Sequence, residues 1–240
     1  MRSDGRAYDE LRAISIECSP NRYAEGSALI RVGETHVLCT VSIQEKVPPW
    51  LQGRGNGWLT AEYALLPRST HTRTPRKHAQ GGRAQEIRRL IGRSLRRAVD
   101  LDLLDGRTLI VDCDVLQADG GTRTTSIIGG YIAVALAMQT LIADKGIPKQ
   151  ALLPPIAAIS VGMVEGQTCL DLAYEEDANA DMDLNVVMDA VGRFVEVQGT
   201  AESTPIERDK LDALLNLASR GIETIIDIQR EVLACVGLEV

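Results

Sequence analysis

Cysteine is scarce and out of pattern. Cys18, Cys39, Cys113, Cys169 and Cys235 form an odd set without a Cys-x-x-Cys spacing, and the only histidines are His36, His71 and His78. This argues against a disulfide framework and against a zinc centre; the cysteines, mostly set among apolar neighbours, read as small core hydrophobes. Positive charge is in deficit as well. A formal net charge of -7 argues against a general nucleic-acid binder, so any contact with RNA or DNA has to use a local basic patch. The opening residues Met-Arg-Ser-Asp-Gly-Arg carry no apolar signal-peptide core, from which we expect a cytoplasmic protein. The longest apolar run, residues 127–143, is short for a membrane span and is interrupted by Gly129, Gly130, Gln139 and Thr140; it predicts a buried helix and no membrane partner. The glycine spacings of a Walker loop and of a dinucleotide fingerprint are missing too.

What is there is enough to build a sizeable core: 240 residues, 45% of them hydrophobic, suffice for one large domain or two small ones. Residues 11–18, 27–32 and 35–44 read as strands of an antiparallel meander, divided by turn signals at Pro20-Asn21 and Gly33-Glu34. An irregular loop follows over residues 47–57, then a strand over 58–66. Ile87, Leu90, Ile91, Leu95, Ala98 and Val99 recur at helical spacing. A strand over 108–116 and a helix over 127–143 come next, and Gly146, Pro148, Pro154 and Pro155 mark a connection. The pattern then restarts with strands over 156–164, 168–172, 184–188 and 194–197 and a terminal helix from about Glu207. Strands followed by helix thus occur twice. We expect one α/β domain over residues 1–240, made of structurally duplicated halves over approximately 1–146 and 147–240.

Three stretches carry chemistry. The first is Gln-Ala-Asp-Gly-Gly-Thr-Arg-Thr-Thr-Ser, residues 117–126, placed between a strand and a helix. Gly120 and Gly121 let backbone N–H groups approach a ligand, the helix start adds orphan donors and a positive dipole end, and Arg123 can hold two phosphate oxygens. A phosphate fits there, although an ordinary strand-to-helix turn has the same look. The second stretch holds Arg68, Arg73, Arg76, Lys77, Arg83, Arg88, Arg89, Arg93, Arg96 and Arg97 against the single acid Glu86. Its helical part reads equally well as a solvated face, whereas the loop over 68–82 has no apolar stripe and suits phosphate-backbone contact. The third is the acidic run over 171–183, without compensating bases in its own sequence. Crowded carboxylates face water or a cation, and such oxygen ligands suit Mg²⁺.

Gly57-Trp-Leu-Thr-Ala-Glu-Tyr, Leu66-Pro-Arg-Ser-Thr-His-Thr-Arg73, Glu86-Ile-Arg-Arg-Leu-Ile-Gly-Arg-Ser-Leu-Arg96, Val111-Asp-Cys-Asp-Val-Leu-Gln-Ala-Asp-Gly-Gly-Thr-Arg123, Asn185-Val-Val-Met188 and Glu196-Val-Gln-Gly-Thr-Ala-Glu202 together closely resemble the ribonuclease PH family. The resemblance spans nearly the whole chain. It implies a 3′ to 5′ exoribonuclease that uses inorganic phosphate in place of water, releases nucleoside diphosphates and trims tRNA precursors and other RNA 3′ ends. It also implies two βαβα-like halves with mixed or antiparallel sheets and packed helices, and self-association to a homohexamer, a trimer of dimers. Carried over, the phosphate pocket falls on Arg83, Gly121, Thr122 and Arg123, and the catalytic and metal-binding acids on Asp177 and Asp183; of the basic loop, Arg68, Arg73 and Arg76 are expected to contact RNA, several copies lining a common surface of the ring. Asp183 could instead serve as general acid toward the departing 3′ oxygen. The segment 74–80 is a few residues shorter than is typical of the family, and Asp181 stands where Glu is common. A non-catalytic ring subunit of exosome type would keep the fold without the phosphate and metal residues, and a small-molecule kinase would not need the basic loop.

Overall fold

The computed structural model describes residues 2–76, 81–202 and 205–240. Lys77, His78 and Gln80, which end the shortened loop noted above, lie outside the described residues. The first sheet contains β1 (Ile14–Cys18), β2 (Gly26–Val32), β3 (Thr35–Gln44), β4 (Trp58–Leu65) and β5 (Thr108–Gln117) in the order β1-β2-β3-β5-β4. The first three strands form the expected meander. β3 pairs antiparallel with β5, but β4 runs parallel to β5, a connection that needs a crossover, which α1 (Gly82–Leu95) provides. The second sheet contains β6 (Ile156–Val164), β7 (Gln167–Leu170), β8 (Met182–Asp189) and β9 (Phe194–Ala201) in the order β7-β6-β8-β9, all antiparallel.

The layers follow from burial. On β3, Thr35, Val37, Cys39 and Val41 are buried while His36, Leu38 and Thr40 are only half-buried, the period-2 alternation of a sheet with one covered face. The cover is α2 (Thr122–Lys145), which packs on β2 and β3 on one side and on β6 on the other. A helix that is apolar all round has to be buried all round. This helix is long and apolar enough to cross a membrane by composition alone, yet most of it is enclosed by the protein. Close approach depends on Gly129, where a Cβ would lie 2.6 Å from Ile30 Cγ2. α4 (Arg208–Cys235) packs on β6, β7 and β8. Its fully buried Gln229 donates to the carbonyls of Ile128 on α2 and Ile156 on β6, so both sheets share one core.

Four local expectations are corrected. α2 starts at Thr122 rather than Ile127, so the hydroxyl cluster lies inside the helix, with Thr124, Thr125 and Ser126 buried. The reason is that Gly121 takes the cap position. β8 begins at Met182, two residues before the expected start, which puts Asp183 on a strand. β9 continues to Ala201. The acidic stretch contains a short helix, α3 (Tyr174–Ala178), which hydrophobic periodicity cannot reveal because its residues are mostly charged.

Candidate active site

β5 delivers the chain to the turn and α2 takes it away. Gly120 and Gly121 have φ of +72° and +64°, a left-handed backbone that costs other residues roughly 1–2 kcal/mol. At Gly120 space is also lacking: a Cβ would stand 2.6 Å from the Leu172 carbonyl oxygen and 2.8 Å from the Tyr174 nitrogen. The turn is therefore pressed against the entrance to α3. Gly121 offers α2 no side-chain cap, and the first helical bond runs from Thr125 N to Gly121 O at 2.9 Å. The amides of Thr122, Arg123 and Thr124 precede that bond, which leaves a helix end suited to an anion.

Side chains converge on this end. Tyr63 on β4 shares a 2.8 Å hydrogen bond between its hydroxyl and that of Thr122. Burial pushes the Tyr63 phenol above its ordinary range, while the Thr122 bond and the charges of Arg83 and Arg123 pull it down. Arg123, largely buried, donates to Gln198 Oε1 at 2.9 Å and lies 3.6 Å from Glu86. Gln198 Nε2 in turn donates to Glu86 Oε1 at 3.1 Å. Its guanidinium is thus held between α1 of one sheet layer and β9 of the other. Arg83, the second residue of α1, is exposed, and its charge acts with that of Arg123 on Asp177.

Asp177 sits on α3 and Asp183 on β8, opposite Gly162 and Thr200. Partial desolvation raises the Asp177 carboxyl even though its side chain reaches solvent; Arg123 and Arg83 oppose this and Glu202 adds to it. Asp183 is raised by burial, then by Asp177 and Glu202, against Arg123. Desolvation first, and the neighbouring carboxylates after it, thus outweigh the arginines and make both acids reluctant to ionise. No cluster of three or more candidate metal ligands occurs among the described residues. A pair of carboxylates nevertheless fits Mg²⁺, which takes one or two and fills its other positions with water and phosphate oxygens.

Two other acids of the run are not solvated, although Glu175 and Asp181 are exposed. Asp171 is 1% exposed and Glu176 is 8% exposed. Arg12 grips Asp171 through Nε at 2.9 Å and Nη2 at 2.7 Å. Arg2 grips Glu176 through Nε and Nη2, both at 2.6 Å. Arg6 lies 3.6 Å from Asp171 and 3.7 Å from Glu176. The bases missing from the acidic stretch therefore come from the other end of the chain. Desolvation offsets much of what such pairs gain, but removing one partner strands a buried charge at about 3–5 kcal/mol.

The basic stretch divides in the same way. Arg88 pairs with Glu62 and Arg93 with Glu196. Arg96 lies over the Trp58 ring at 4.5 Å and donates to the Leu59 carbonyl, a cation–π contact. These α1 arginines tie elements together. Arg68, Arg73 and Arg76 differ: they are exposed and form no ion pair among the described residues. Their loop is rooted beside the turn of Gly120 and Gly121, where Ala118 N donates to Ser69 O at 2.8 Å. Of the predicted residues, Gly121, Thr122, Arg123, Arg83, Asp177 and Asp183 share one locality, and the loop arginines rise from its edge. Sequence reasoning missed Tyr63, Glu86 and Gln198. Tyr63 had a usable signal, since it alternates with buried Leu59 and Ala61 on β4 and carries the one polar tip on that face.

Known proteins resemble this chain in sequence and in fold. Residues 10–138 match the model for domain 1 of the 3′ exoribonuclease family and residues 154–221 the model for domain 2. Ribonuclease PH of Moorella thermoacetica is 53% identical over 243 aligned residues, covering 100% of this chain and 97% of that protein. Two more distant structures share the fold alone. The crystal structure of rice (Oryza sativa) Rrp46 has TM-score 0.79 at 21% identity, covering 97% of this chain and 100% of that one. The Archaeoglobus fulgidus exosome with RNA bound to the active site has TM-score 0.79 at 22% identity, covering 94% of this chain and 91% of that one. The chain belongs to the 3′ exoribonuclease family and is a phosphorolytic 3′-5′ exoribonuclease of the ribonuclease PH type.

Proposed function

We propose that the chain trims tRNA precursors and other RNA 3′ ends at the turn of residues 120–123, where inorganic phosphate binds and attacks the last phosphodiester. The phosphate oxygen bonds to that phosphorus, the 3′ oxygen of the shortened RNA leaves, and the terminal nucleotide departs as a diphosphate. The observation that carries this reading is the uncapped, arginine-bearing start of α2 placed together with the carboxylates of Asp177 on α3 and Asp183 on β8. Arg83, Arg123 and the amides at Gly121 and Thr122 orient the nucleophile, and Tyr63 fixes the Thr122 hydroxyl. Asp177 and Asp183 hold a divalent cation, Mg²⁺ in our reading, which when bound offsets charge on the reacting phosphoryl group. The chain's own part is then positioning and electrostatics. An RNA with a short unpaired 3′ tail should lose nucleotides as diphosphates only when phosphate is supplied. Monophosphate products released without phosphate would overturn the reading.

In the same reading the chain is one domain of duplicated halves that assembles into a homohexamer in the cytoplasm, so that copies of Arg68, Arg73 and Arg76 line a common surface for the body of a tRNA. This would let an acidic protein hold a polyanion. The contact is chiefly ionic, and each phosphate neutralised steepens the fall of log affinity with log salt, by about 0.9 for a B-form DNA duplex and about 0.7 for single strands. Replacing all three by Ala should lower affinity for precursor tRNA and flatten its salt dependence, while leaving phosphorolysis of a short unstructured oligonucleotide near the parent rate. Titrations over a salt series, with sedimentation to verify assembly, check this. A fully assembled variant with the parent's affinity and slope would reduce the loop to a subunit contact.

A further inference from the structure

Beneath the phosphate turn lies a second layer that no family motif quoted above includes. Arg12, just before β1, has a side chain only 5% exposed. While its Nε and Nη2 engage Asp171, its Nη1 donates to the Asp119 carbonyl at 2.6 Å. Its backbone N donates to Asp171 Oδ2 at 2.9 Å. A Cβ on Gly121 would stand 2.9 Å from Arg12 Nη2, so this guanidinium is the floor of the turn. From β3, fully buried Thr35 holds the same turn: its hydroxyl donates to the Gly120 carbonyl at 2.7 Å and accepts from Asp119 N at 2.9 Å. Asp171 itself has φ of +55°, a conformation a non-glycine residue keeps only when its surroundings over-determine it. It opens the segment that leads through Leu172 and Ala173 into α3 and Asp177.

We infer that Arg12 and Thr35 are positioning residues for phosphorolysis: they fix the phosphate turn, and Arg12, unlike Thr35, also ties it to Asp171 at the start of the acidic segment that carries Asp177. The planar fork of Arg12 reaches Asp171 with one edge and Asp119 O with its remaining nitrogen; a lysine has one nitrogen and cannot do both. Catalysis by positioning is sensitive to small displacements, so loosening the floor should weaken phosphate use before it unfolds the protein.

The inference rests on the phosphate site assigned above, and its test keeps the two apart by measuring Arg12→Lys, Thr35→Val and Arg123→Ala side by side in the full chain. Steady-state rates on a short oligonucleotide are taken over a phosphate series, with RNA affinity measured in the absence of phosphate and thermal unfolding followed in parallel. Arg12→Lys and Thr35→Val should each raise the KM for phosphate about fivefold or more and leave RNA affinity unchanged. Arg12→Lys should also lower kcat at saturating phosphate, because Arg12, unlike Thr35, holds Asp171 as well as the turn. Thr35→Val removes no charge, so it reports on the turn even if Arg12→Lys folds poorly. A parent-like KM for phosphate in Thr35→Val, with Arg123→Ala impaired, overturns the inference alone. A parent-like KM in Arg123→Ala overturns the phosphate site and the inference with it. Lower unfolding temperatures with KM and kcat unmoved would make the layer purely structural.

Discussion

Asp177→Asn and Asp183→Asn should each reduce phosphorolysis on the order of a thousandfold while making the metal-free protein more stable at neutral pH. The loss follows from the role proposed for these acids. Charge stabilisation by a bound cation contributes several kcal/mol, and every ~1.4 kcal/mol is tenfold in rate. The gain in stability follows from the raised carboxyl pKa values, caused first by burial in both residues and in Asp183 next by the neighbouring Asp177. When the folded pKa lies above the unfolded one, the folded chain binds more protons in the window between them. Stability then declines as pH rises through that window and stays lower above it. Asparagine removes the penalty, so the variants should melt above the parent at pH 7, and the difference should shrink as pH falls through that window and vanish below the ordinary carboxylate range. The same direction predicts that activity rises with pH as the two carboxyls ionise, with added Mg²⁺ shifting the rise to lower pH. Melting curves and initial rates from pH 3 to 8 decide the matter. An Asn variant that turns over normally would return the pair to an ordinary solvated edge.

How far the sequence reveals this site depends on the distance over which its contacts act. The turn at Gly120 and Gly121 is legible because its requirements are local: positive φ at two successive residues and an apolar helix directly behind. The β1 to β3 meander is legible for the same reason, through period-2 alternation and short turns. The clamp on the acidic run is not legible. Arg2 and Glu176 are separated by 174 positions and Arg12 and Asp171 by 159, and nothing in either local sequence marks the partner. Arg2, Arg6 and Arg12 look like an ordinary polar lead-in, yet they carry the charge that the acidic run lacks. Likewise the α1 arginines fit both a solvated face and an RNA surface, and only folding reveals Glu62, Glu196 and Trp58 opposite them. The start of α2 was displaced because Thr and Ser usually cap helices through their hydroxyls. Here a left-handed glycine takes that position, and the hydroxyls turn inward instead: Thr124 donates to Gly121 O and Ser126 to Thr122 O.

Arg123→Ala should raise the KM for phosphate by about tenfold to a hundredfold, the range that a lost charge-assisted contact of roughly 1.5–3 kcal/mol produces. Arg83→Ala should act in the same direction and by less, because Arg83 is exposed on α1 whereas Arg123 is largely buried and held by Gln198 at 2.9 Å. A guanidinium fixed in advance loses less freedom on gripping phosphate, so more of its contact energy survives as affinity. Arg123→Lys should recover only part of the loss, since an ammonium cannot bridge two phosphate oxygens as a planar fork does. Gln198→Leu removes the brace without the charge. It should give a smaller rise in KM, accompanied by greater salt sensitivity as Arg123 moves freely beside Glu86, from which it lies 3.6 Å. RNA affinity measured without phosphate should be near the parent's in the Gln198 variant, because the Gln198 side chain hydrogen-bonds to Arg123 and Glu86. Initial rates over a phosphate series separate these expectations. If the Arg123 variants run at the parent rate when phosphate is limiting, the anion sits elsewhere, and the start of α2 serves only to join β5 to the core.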